Sequence, residues 1–222
     1  MTGIKETIKA IHEQLPPQTR LVAVSKYHPA EAIMEAYEAG QRIFGESHVQ
    51  ELQRKATELP QDIEWHFIGH LQTNKVKYIA PYVSLIHAVD SERLMAEIDK
   101  QASRIGRKIP CLLQLHIARE ETKFGFSIEE LLNLLDSGAH LAYNSVTISG
   151  LMCMASNVDD EEQIAAEFVR AHALFLTLKD RYFKHNTDFA ECSWGMSDDY
   201  PLAIAHGSTL VRIGSKIFGS RQ

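Results

Sequence analysis

The chain has 222 residues, 45% apolar and 23% charged, the balance of an ordinary globular protein with room for one sizeable core. A formal charge of −6 argues against a nucleic-acid partner, whose backbone calls for a basic surface. Charged residues already interrupt the start (Lys5, Glu6, Lys9), and no apolar run approaches the ~20 residues that span a bilayer, so the expectation is a cytoplasmic protein without secretory leader or membrane anchor.

Short apolar runs alternate with longer amphipathic ones. Residues 21–25 predict a buried strand and residues 29–40 a helix, with Pro29 suiting its first turn and Gly40 its exit. Residues 42–44 predict a second strand, followed by a helix over 47–58. Residues 63–68 predict the third, followed by a helix over 74–79. After a fourth strand over 83–89, Leu94, Ile98, Ala102 and Ile105 recur at spacings of three and four, which is one face of a helix. The fifth strand (111–117) precedes a helix over 128–137, and the sixth (146–154) precedes a long helix over 160–182. Residues 189–192 and 210–213 predict the last two strands, on either side of a helix over 198–205.

Strict alternation implies a parallel sheet, and near-continuous apolar strands imply that both faces are covered. Eight such units fit a single-domain (β/α)8 barrel over residues 1–222, although an open doubly wound sheet would use the same alternation. Cys111, Cys153 and Cys192 form no C-x-x-C pair and leave an odd count, which predicts buried free thiols in a reducing compartment.

In a barrel the functional groups gather at the carboxyl ends of the strands. Lys26 follows the first run, Gly45-Glu46-Ser47 the second, Gly69-His70 the third and Gly195-Met196-Ser197 the seventh, while Arg212, Gly214 and Ser215 close the eighth. A strand-end lysine can simply snorkel to solvent. It can also be an uncharged amine in a partly apolar cavity, able to attack an aldehyde and form a Schiff base. Residues 207–219 are rich in glycine and small hydroxyls, which let backbone N–H groups approach a phosphate; the same composition serves a plain turn. An amine on strand one facing such a cradle on strands seven and eight is more specific than either piece.

Six motifs sharpen this reading: Val22-Ala-Val-Ser-Lys26, Phe44-Gly-Glu-Ser-His-Val-Gln-Glu51, Trp65-His-Phe-Ile-Gly-His-Leu-Gln-Thr-Asn-Lys75, Gly150-Leu-Met152, Gly195-Met-Ser-Asp198 and residues 207–219. In this order and spacing they resemble the YggS/PROSC family of pyridoxal 5′-phosphate (PLP) homeostasis proteins, over nearly the whole chain. The resemblance implies a barrel akin to the N-terminal domain of alanine racemase, with PLP held as an aldimine on Lys26. It further implies that Arg212 faces the pyridine nitrogen, that Gly214 and Ser215 donate to the phosphate, and that Ser197 adds a contact there. Arginine can only donate, so a ring nitrogen facing it stays unprotonated and is a poorer electron sink.

The expectation is a carrier that holds PLP and passes it to apo PLP-dependent enzymes, with no catalytic residues and no turnover, and a monomer, since no absent domain needs a partner to complete it. Racemases of this fold take a tyrosine acid/base from a second, β-rich domain across a dimer; here the chain ends at Gln222, directly after the eighth unit. An amino-acid racemase, or an aldolase using Lys26 without PLP, stands as the alternative. Ser47, His48 and His116 depart from the family, which has Asn, Tyr or Arg, and Asn at those places. Lys75, Lys77 and Lys123 are expected as surface charges, with the family motif around Lys123 (Glu121-Thr-Lys-Phe-Gly125) offering a secondary part in PLP release as the alternative for that residue. His66 and His70 straddle a strand-to-loop junction, so structural or cavity-lining roles are expected and no metal is. Met152 and Met154 are expected in the core, and Asp198-Asp199 at a helix start.

Overall fold

Residue alternation within the strands separates a closed barrel from an open sheet, because a barrel needs an inner and an outer apolar set. In the computed structural model, which describes residues 3–117 and 124–219, those two sets are distinct. Val22, Leu85, Leu112, Met152 and Leu210 pack together, whereas their neighbours Leu21, Ala23, Ile86, Leu113, Leu151 and Val211 join a second, larger cluster shared with the helices. The first set fills the barrel; the second lies between barrel and helices.

The strands are β1 (Arg20–Val24), β2 (Ile43–Glu46), β3 (Glu64–Phe67), β4 (Val83–Val89), β5 (Ile109–Gln114), β6 (Val146–Met152), β7 (Glu191–Ser193) and β8 (Leu210–Ile213). They pair in chain order, all parallel, and β8 closes on β1 with Arg20 opposite Leu210 and Ala23 opposite Ile213. The fold is a (β/α)8 barrel.

Around it lie α1 (Ile4–Gln14), α2 (Ala30–Glu38), α3 (Val49–Glu58), α4 (Val76–Ile79), α5 (Glu92–Arg104), α6 (Ile128–Asp136), α7 (Glu161–Arg181), α8 (Tyr200–Ala205) and α9 (Ser215–Phe218). Local chemistry fixes several starts. The Ser91 hydroxyl accepts from Leu94 N–H, Asp160 accepts from Gln163 N–H, and Ser127 forms a reciprocal capping box with Glu130. Each such cap is worth about 1 kcal/mol.

The opening segment is a helix, α1, which buries Ile8 and Ile11 and packs on α2 and α9. Several expected boundaries shift. Ile105 does not share the buried face of Leu94, Ile98 and Ala102: it is the residue at which α5 ends and is 46% exposed. The fifth strand stops at Gln114, after which Leu115 makes only an isolated bridge to Phe126. All three cysteines are buried and free, and burial pushes the Cys153 thiol up to about 12. Among the described residues no helix is long and apolar enough to cross a membrane.

Candidate functional site

Barrel closure sets β1 beside β8, so the segments leaving these strands emerge side by side. Lys26, Ser197, Arg212, Gly214 and Ser215 consequently line a single cavity of about 280 Å³ at the carboxyl ends of the strands. The approach there is close: a Cβ on Gly214 would lie 3.2 Å from both the carbonyl oxygen and Cβ of Val24. Gly195 makes the second approach. It has φ +88°, and a Cβ there would come within 2.5 Å of Ala203 Cβ, so only glycine lets the chain fold back after β7. That turn carries Ser197 to β8, where its Oγ accepts the Gly214 N–H at 3.2 Å.

Lys26 is half-buried on a tight turn. His28 N–H donates to Ser25 O at 3.1 Å, and Tyr27 adopts φ 68°, the left-handed region that costs a non-glycine residue on the order of 1–2 kcal/mol. The turn is tied from below. Tyr27 N–H donates to Glu51 Oε1 at 2.8 Å, and Lys55 Nζ donates to Ser25 O (2.8 Å), Glu46 Oε1 (2.8 Å) and Glu51 Oε1 (2.6 Å). Ser25 Oγ–H adds a 2.6 Å bond to Glu46, whose Oε2 is buried without a partner. Burial pushes the Glu46 carboxyl up to about 7 against the pull of Lys55. Sequence reasoning misses Lys55; its i,i+4 spacing from Glu51 is the signal available.

Arg212 forms the opposite side of the site. It is 4% exposed and donates to Ser193 O (2.7 Å), Ser193 Oγ (2.5 Å) and Cys153 O (3.0 Å). These partners are neutral, so they orient the guanidinium without cancelling its charge. The cavity thus holds a cation beside a cluster of hydroxyl and backbone N–H donors, which suits an anion.

The other expected residues divide. Ser47 lines the cavity, as do Met152 and Met154, with Met152 also in the inner core. His28, missed in the sequence, lines it too and stacks on Phe218 with centroids 4.9 Å apart; burial and the Lys55 charge hold it below the usual histidine range. Asp198 is on the rim, and Asp199 Oδ1 accepts from Met196 N–H at the head of α8. His116 instead lies along the bridge to Phe126, to whose carbonyl it donates its N–H. Ser208 and Thr209 tie β7 to β8 through Trp194 O and Cys192 N–H rather than facing the cavity. Lys75 and Lys77 lie over the Tyr78 ring. His66 bonds His87 inside the barrel while His70 pairs with Asp90, and among the described residues no group of three or more His, Cys, Asp or Glu could hold a metal ion. Lys123 lies outside the described residues.

Comparison with known proteins gives this geometry its context. The sequence profile of "Alanine racemase, N-terminal domain" matches residues 2–222. The pyridoxal phosphate homeostasis protein of Vibrio alginolyticus is 36% identical over 236 residues, covering 100% of this chain and 99% of its own length. The structure of PipY from Synechococcus elongatus without PLP superposes with a TM-score of 0.91 at 38% identity, covering 97% of this chain and 100% of that one. Its form with PLP bound gives 0.87 at 37% identity, with the same coverage. The chain belongs to the pyridoxal phosphate homeostasis protein family, within the wider family built on the alanine racemase N-terminal domain.

Proposed function

We propose that this chain binds PLP in the cavity between Lys26 and Arg212, holds it covalently but reversibly, and releases it to apo PLP-dependent enzymes in the cytoplasm without catalytic turnover. The observation that carries the reading is the meeting, in one cavity, of a half-buried amine and a buried guanidinium flanked by hydroxyl and backbone donors. The donor set fits the ligand. Ser197, Gly214 and Ser215 offer hydroxyl and N–H groups to a phosphate, and Arg212 can give a hydrogen bond to a ring nitrogen but can take none. The PLP-bound relative at 37% identity supports the same assignment.

Bound PLP supplies an aldehyde, which condenses with a primary amine to a C=N bond with loss of water, a change that added water reverses. Lys26 is the residue of this cavity with a primary amine, held by the turn that Glu51 and Lys55 brace. Facing the ring nitrogen, Arg212 would donate to it and keep that atom unprotonated, which would make the ring a weaker electron sink.

The test is the absorption spectrum of the protein with and without PLP, followed by borohydride reduction and peptide mass analysis. A Schiff-base band and a pyridoxyl group on Lys26 are expected, and both disappear in Lys26→Ala. Unchanged trapping in that variant overturns the assignment. Racemisation of alanine or serine above the rate of free PLP overturns the claim of no turnover.

A further inference from the structure

Half of the barrel interior is filled as barrels usually are, by Val22, Leu85, Leu112, Met152 and Leu210. The other half is polar. Arg212 on β8 donates to Ser193 Oγ on β7 at 2.5 Å. That oxygen lies 2.9 Å from His87 Nδ1 on β4, and His87 Nε2 lies 2.9 Å from His66 Nδ1 on β3. Both histidines are buried, at 0% and 2% exposure. His66 also lines a second cavity at the opposite mouth of the barrel, beside the Arg20–Glu191 ion pair. Four side chains from four strands thus form one hydrogen-bonded chain from the ligand cavity to the far face.

The chain has a direction, and Arg212 sets it. A guanidinium only donates, so Ser193 Oγ must accept from it. The serine's own proton then finds its acceptor at His87 Nδ1, which places the His87 proton on Nε2. That proton is given to His66 Nδ1, which in turn places the His66 proton on Nε2. Reversing the imidazoles would make Ser193 Oγ accept twice and leave its proton without a partner in this row, a costly arrangement in a buried site. Burial and the nearby Arg212 and Arg20 charges keep both rings neutral.

We propose that His87, backed by His66, is a positioning residue for Arg212: a one-way hydrogen-bond chain across the barrel holds the guanidinium at the floor of the ligand cavity and so sets how firmly the pyridine ring is gripped. This rests on the proposed function, in which Arg212 faces the ring nitrogen. The tautomers it requires do not depend on any ligand.

Histidine 15N NMR of the PLP-free protein, assigned with His66→Gln and His87→Asn, is expected to show both residues as neutral Nε2–H tautomers. An Nδ1–H form at either position overturns the proposal whether or not PLP binds. Titration with PLP then reads the consequence. His87→Leu is expected to weaken binding roughly tenfold, the effect of about one buried hydrogen bond, and to shift the bound-cofactor absorption band. His87→Asn, whose amide oxygen can accept from Ser193 in place of Nδ1, is expected to recover most of the affinity and the original band. Wild-type affinity and spectrum in His87→Leu overturn the positioning role. If His87→Leu does not fold, the tautomer measurement and His87→Asn still decide. Absence of Lys26 trapping in the unsubstituted protein would count against the PLP assignment instead.

Discussion

Lys55 Nζ and Glu46 Oε1 lie 2.8 Å apart, with both side chains at zero exposure, beneath the turn that presents Lys26. The same ammonium bonds the Ser25 carbonyl, and its other partner, Glu51, accepts the Tyr27 N–H. A left-handed tyrosine persists only where its surroundings over-determine it, and these bonds do so from two sides. The ion pair is therefore a brace for one loop conformation, and buried pairs contribute geometry more readily than net stability.

Replacing one partner should separate these effects. Lys55→Met leaves Glu46 buried without its cation and, above about pH 7 where Glu46 is ionised, is expected to cost ~3 kcal/mol in urea unfolding, with slower borohydride-trapped PLP loading on Lys26. Lys55→Met/Glu46→Leu removes both charges and is expected to regain most of the stability but not the loading rate. Equal loading in the double variant and the unsubstituted protein would show that the brace does not act on Lys26.

Gly195→Ala tests the turn after β7. The added methyl meets Ala203 Cβ at a backbone φ of +88°, so left-handed strain and overpacking combine to an expected loss of about 2–4 kcal/mol. Ser197 is carried by that turn, so PLP affinity should fall as well. A variant as stable as the parent would mean that the loop can move away from α8 without cost.

The architecture and one wall of the site are legible from the chain alone. Helical spacing and the order of apolar runs give eight alternating units, the motif resemblance points from these to a barrel rather than an open sheet, and the carboxyl ends of those runs carry Lys26, Ser197 and Arg212. The polar interior is not legible, for a physical reason. Strands β2, β3, β7 and β8 have only three or four residues each, too few for alternation to say whether His66, Ser193 or Arg212 points inward. His87 sits in a longer strand, but one whose apolar neighbours suit either face. The Lys55 brace depends on α3 docking under the first loop, a tertiary fact with no local signature beyond the Glu51 spacing.

Ser197→Ala asks whether the hydroxyl near Gly214 N–H serves an anion. Ser197 is only half-buried, so its loss should leave thermal stability nearly unchanged. PLP binding is expected to weaken roughly tenfold, the usual effect of one charge-assisted hydrogen bond, while trapping on Lys26 at saturating PLP persists. Unaltered affinity would remove Ser197 from the site.

Stability against pH tests the two buried networks together. Burial holds His66 down to about 3 and His87 well below the ordinary 6.5, so their contribution is present above pH 6.5 and is lost as pH falls. Glu46 runs the other way: raised from 4.5 to about 7, it keeps a proton that the unfolded chain gives up, so its contribution is lost as pH rises through that window. Between about pH 4.5 and 6.5 two histidine protons oppose one carboxyl proton, and each net proton is worth about 1.4 kcal/mol per pH unit. These three groups together should therefore make stability rise with pH by about that amount per unit. Glu46→Gln removes the opposing proton and should roughly double the slope, whereas His66→Gln should nearly abolish it. Urea unfolding at half-unit steps from pH 5.0 to 6.5 measures all three proteins. An unchanged slope in Glu46→Gln would mean that Glu46 is ionised throughout and that its pair with Lys55 outweighs burial.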